Sequence, residues 1–75
     1  MNQGEAVVKA GEVRTDIIGQ RRTIDGNCYE AELVTAEKYP PGDDNYEVIV
    51  YLAPMRNGLS KTKKPLDVFI ASPRC

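Results

Sequence analysis

The stretch that most constrains this chain is Tyr46-Glu47-Val48-Ile49-Val50-Tyr51-Leu52-Ala53-Pro54, its densest run of apolar and β-branched residues. Tyr39-Pro40-Pro41-Gly42-Asp43-Asp44-Asn45 halts whatever comes before, and Pro54 ends the run itself. A short run of Val, Ile and Tyr bounded by turn residues predicts a strand rather than a helix. Alternation sends Tyr46, Val48, Val50 and Leu52 to one face and Glu47, Ile49, Tyr51 and Ala53 to the other. One face is wholly apolar and the other half so, which predicts a central strand covered on both sides along part of its length.

Seventy-five residues suit one small domain spanning 1–75. A chain of this size buries only about 60% of the surface it exposes when unfolded, so its core is thin. Staples are few. With no histidine and only Cys28 and Cys75, the usual four-ligand zinc site is excluded within one chain. A bridge between the two cysteines would contribute about 4 kcal/mol by loop entropy. The expectation is nevertheless free thiols in a cytoplasmic protein, because residues 1–20 carry no apolar signal region. No run is long enough to span a membrane.

The formal net charge is −1, which gives no global pull toward nucleic acid or an anionic membrane. Residues 1–24 carry +1, residues 25–55 carry −6 and residues 56–75 carry +4. Folding the acidic middle against the basic end would make the asymmetry internally complementary.

Glycines at 4, 11, 19 and 26 punctuate the first third and predict short strands at 12–18 and 20–24. Glu5–Ala10 reads equally as a strand or a helical turn. Asp25-Gly26 carries the best hairpin signal, since this pair favours turns whose twist matches paired strands. The arm that follows, 28–38, has two readings. As a strand it turns Tyr29, Ala31, Leu33 and Thr35 inward and Glu30 and Glu32 to water; as a helix it starts at Asn27 with Glu30 completing a capping pair. Propensity favours the helix, hairpin chemistry the strand. After a long basic loop, Leu66-Asp67-Val68-Phe69-Ile70-Ala71 reads as a final strand. The expected architecture is all-β: a five-stranded, mostly antiparallel curled sheet or SH3-like barrel. The alternative is α+β, with a helix at about 28–38 packed on the sheet.

The inventory for catalysis is nearly empty. Without histidine there is no Ser-His-Asp or Cys-His pair and no base poised near neutrality. Glu30 with Glu32, and Asp43 with Asp44, read as solvated strand and turn carboxylates rather than a catalytic or metal site. Neither an EF-hand spacing nor a phosphate-binding glycine loop occurs. No cofactor is expected.

Two binding surfaces remain. Ile49, Tyr51 and Phe69 would lie together on the second face of the two strongest strands, an apolar patch of the kind that marks interfaces. Arg21, Arg22, Arg56, Lys61, Lys63 and Lys64 form a basic set suited to phosphates or an acidic protein. No aromatic residue interleaves the basic loop, which weakens nucleic acid as a partner. The leading expectation is a non-enzymatic module that binds a protein, or its own copy, through a strand edge or that apolar face. A nucleic-acid-binding barrel is second.

Tyr29-Glu-Ala-Glu-Leu-Val, a turn, then Tyr46-Glu-Val-Ile-Val-Tyr51 resembles the two central strands of Tudor and chromo-barrel modules. The resemblance covers about a third of the chain and implies a small SH3-like barrel. The tryptophan common in the aromatic cages of those modules is absent, and Tyr29, Tyr46 and Tyr51 do not share one face.

Overall fold

Asp25 and Gly26 both adopt left-handed backbone, at φ 53° and 80°, the conformation of a two-residue hairpin turn. The turn joins β1 (Arg21–Ile24) to β2 (Asn27–Lys38), with Ile24 opposite Asn27 and Arg21 opposite Glu30. The computed structural model describes residues 3–39, 42 and 44–75, with the side chains of Gln3 and Gly4 left aside. Three residues of the expected 39–45 turn, Pro40, Pro41 and Asp43, thus lie outside the described residues. β3 (Tyr46–Pro54) pairs with β2, and β4 (Thr62–Pro65) pairs with β3. The sheet is antiparallel in the order β1-β2-β3-β4, and the Tyr46 run is interior as expected.

A bulge between Ala31 and Leu33 places Glu32 as an extra residue opposite β3. Beyond it the register pairs Leu33 with Tyr51, Val34 with Val50 and Thr35 with Ile49. Val34, Val50 and Leu52 therefore share one face, and Leu33, Thr35, Ile49 and Tyr51 share the other. On the first face lies the core: Ile17, Ile24, Tyr29, Ala31, Val50, Leu52 and Phe69.

Several parts of the all-β expectation are corrected. Residues 12–18 are not a strand: α1 (Gln3–Val13) runs into a 3-10 turn at Thr15–Ile17. The apolar alternation there was too short to override a helical spacing, in which Val7, Ala10 and Gly11 are the less exposed positions. Gly11 does not punctuate strands either. It is buried where α1 packs on β2, and a Cβ there would make only ordinary contact, 3.6 Å from the Thr35 carbonyl carbon. Residues 66–71 form α2 (Leu66–Ala71), not a strand. Leu66 and Phe69, three apart, both turn toward the core, while Val68 and Ile70 stay 42% and 40% exposed. The last strand is instead the preceding basic segment, β4. Among the described residues four strands, not five, and two helices make an open sheet, not a closed barrel.

The expectation of free thiols is also corrected: Cys28 and Cys75 form a disulfide. Thr23 N–H donates to Pro73 O at 2.7 Å, and Arg22 bridges Arg74, so the tail runs beside β1 to meet Cys28. Arg22 secures the same corner. Its guanidinium donates to Ile70 O at 3.1 Å, Ser72 O at 2.9 Å and Gln20 Oε1 at 3.2 Å, and lies 5.3 Å from the Phe69 ring centroid. A cation here satisfies carbonyls that the end of α2 leaves unpaired. With the cysteines bonded, the compartment logic behind a cytoplasmic location falls away. Among the described residues no helix is long and apolar enough to cross a membrane.

Candidate functional site

β2 has twelve residues and β1 only four, so among the described residues most of the outer side of β2 has no strand beside it. Strand residues alternate in the direction of their backbone groups. Tyr39 N–H donates inward to Asn45 O across the β2–β3 hairpin, which sends the backbone groups of Val34, Ala36 and Lys38 outward. The last outward groups with partners are those of Ala31: its N–H donates to Gln20 O at 2.9 Å, and its C=O accepts from Gly19 N–H at 2.8 Å. Past that point no strand among the described residues pairs with the edge. Beside it lies a groove of about 390 Å³, with Val8, Gly11, Glu12 and Thr15 on one wall and residues 34–36 of β2 on the other. Among the described residues Glu12 has no ion-pair partner.

A second feature covers the opposite face. Tyr51 Oη donates to Glu37 Oε2 at 2.5 Å, and Lys63 Nζ donates to Glu37 Oε1 at 2.6 Å while lying 5.5 Å from the Tyr51 ring centroid. Tyr51 is level with Leu33, and Glu37 with Glu47, so their hydrogen bond spans the Thr35–Ile49 pair between them. Ile49, on the same face between them, is fully buried and stands outside the core cluster of the opposite face. The hydrogen bonds from Lys63 and then Tyr51 lower the Glu37 pKa, whereas the bond to Glu37 raises the pKa of both Tyr51 and Lys63. Through neutral pH the three groups are held as carboxylate, neutral phenol and ammonium. None is poised to exchange a proton near pH 7.

This arrangement has a measurable consequence. Because the folded pKa of Glu37 lies below its ordinary 4.5, its stabilisation is present above that range and is lost as pH falls through the lowered value. Glu37→Gln should therefore lower the urea midpoint at pH 7. The gap to the unsubstituted chain should shrink below pH 4.5 and close in stronger acid. A gap independent of pH would show that the carboxylate charge is not what Tyr51 and Lys63 hold.

The residues expected to bind are placed as follows. Ile49 and Phe69 are both fully buried, and on opposite faces of the sheet, so with Tyr51 they form no exposed apolar patch. The basic set does not converge either. Arg21 pairs with Glu30 at 3.1 Å, and Arg22 is occupied at the end of α2. Lys61 pairs with Glu32 at 3.2 Å and Lys63 with Glu37. Lys64 is opposite Val50, on the other face from Lys63. Arg56 is exposed. The pairs of Lys61 and Lys63 are the complementarity expected between the acidic middle and basic end. Among the described residues no cluster of acidic or cysteine side chains could hold a metal ion.

The open β2 edge was not singled out from sequence. Its signal was present in the unequal arms of the Asp25-Gly26 hairpin, four residues against twelve. Comparison with known proteins finds no family model, no curated protein and no solved structure that matches this chain.

Proposed function

We propose that the chain is a non-enzymatic protein-binding module that takes an added strand along the outer edge of β2. The observation that carries this reading is the row of outward N–H and C=O groups at Val34, Ala36 and Lys38, beside a groove able to receive side chains. Such an edge pairs readily with another chain, the backbone supplying affinity and the groove selectivity. Nucleic acid is the weaker alternative, because Lys61 and Lys63 are already paired and the remaining cations are dispersed. The disulfide suits work in an oxidising compartment, where such bonds persist.

The test uses the chain immobilised in extract from its native host, with and without nuclease. Retained protein is then returned to isotope-labelled chain, and amide exchange is read residue by residue. The expected result is nuclease-resistant retention with slowed exchange at Val34, Ala36 and Lys38. Retention abolished by nuclease, or protection confined to residues 56–64, would overturn the reading.

A further inference from the structure

The open edge is complementary to itself, and we infer that its occupant is a second copy of this chain, paired antiparallel through β2 about a two-fold axis at Ala36. This inference rests on the edge-binding reading and names the strand that the edge takes. Val34, Ala36 and Lys38 are spaced evenly about Ala36. A half-turn therefore sets Ala36 opposite the partner's Ala36, and Val34 opposite the partner's Lys38. All these residues face outward, so the pairing closes about six backbone hydrogen bonds.

The side chains agree with this register. Val34 lines the groove together with Glu12. Directly opposed residues of an antiparallel pair project to the same face. The partner's Lys38 thus lays its aliphatic stem over Val34 and brings its ammonium toward Glu12. Symmetry makes this contact twice. In the single chain the Lys38 ammonium lies 4.0 Å from a fully exposed Asp44 and 5.8 Å from the Tyr46 ring centroid, contacts that the partner's Glu12 would supplement. On the opposite face Leu33, 50% exposed, meets the partner's Tyr39, and Thr35 meets the partner's Glu37. No like charges stand directly opposite.

One neighbouring register is blocked. Placing Val34 opposite the partner's Ala36 carries the partner's Lys38 onto Ala31, because Glu32 is the extra residue of the bulge, and the N–H and C=O of Ala31 already bond Gln20 and Gly19. Because α1 packs on both β2 and β3, pairing the two β2 strands brings the two α1 helices to the same face of the joined sheet. Val8, 43% exposed on the groove side of α1, is closed off in the pair.

Sedimentation over a concentration series tests the inference, using the full chain with its disulfide intact. The expected result is a monomer–dimer equilibrium. Glu12→Lys and Lys38→Glu each turn two attractions into repulsions, and each should weaken the dimer about tenfold. The double variant should recover the original affinity to within about threefold. An equimolar mixture of the two single variants should form a heterodimer, since every cross-pair is then of opposite sign. Both positions are exposed, and dispersed amide resonances confirm that each variant folds. A chain that stays monomeric up to millimolar concentration overturns the inference, as does a dimer indifferent to both reversals. If the chain stays monomeric while another protein protects Val34 and Ala36 from exchange, only the second copy is refuted and the edge reading stands. A dimer protected only at residues 61–64 refutes both.

Discussion

Reduction of the Cys28–Cys75 bridge, or replacement of both cysteines by Ser, should lower stability by about 4 kcal/mol. The bridge closes a loop across a sequence separation of 47, and the loop-entropy relation gives about that value at 25 °C. Small domains have total stabilities of about 5–15 kcal/mol, with chains this short toward the bottom of the range. Losing 4 kcal/mol should therefore leave a substantial unfolded fraction at 37 °C. Freed from Cys28, the tail also loses its hold beside β1, with the Thr23–Pro73 hydrogen bond and the Arg22 contacts to Ile70 and Ser72. Urea unfolding with and without reductant measures the effect. Coincident midpoints would mean that burial around Phe69 alone secures the corner.

Val50→Asp should abolish folding. Val50 is fully buried, paired with Val34 and Lys64 and packed in the cluster that holds Leu52 and Phe69. A carboxylate there has no partner, and an unpaired buried charge costs several kcal/mol. Glu30→Ala is the contrast: it removes one exposed ion pair with Arg21, with an effect of at most about 1 kcal/mol. Amide dispersion separates the outcomes. A well-dispersed spectrum for Val50→Asp would show that this face is open to water, contrary to the observed core.

The middle of the chain was legible because its determinants are local. Asp25-Gly26 supplies the left-handed turn, which sets Ile24 opposite Asn27 and forces the ambiguous arm at 28–38 to pair as a strand despite its helix-forming composition. The Tyr46 run carries its own alternation and stop signals, so its interior place needed no distant information. The candidate site was less legible. Tyr51 and Lys63 were singled out, but the Glu37 that joins them belongs to another strand and is placed by register alone.

The sequence by itself determined the hairpin, β3 and its apolar face, and the charge complementarity of the acidic middle with the basic end. Only the tertiary structure decided the rest. Leu66–Ala71 has apolar residues compatible with either period, and becomes a helix because Phe69 and Leu66 then reach the Val50–Leu52 face together. Glu12–Ile18 likewise yields to α1 and the turn that seats Ile17 in the core. Cys28 and Cys75 pair because the tail after α2 returns along β1, a closure set by contacts distant in sequence. The open edge at Val34 and Ala36 exists because β1 ends before covering β2. Turns and alternation act within a few residues, so they can be read along the chain. Burial and strand pairing depend on which distant surfaces meet, and that is settled when the whole chain closes on its core.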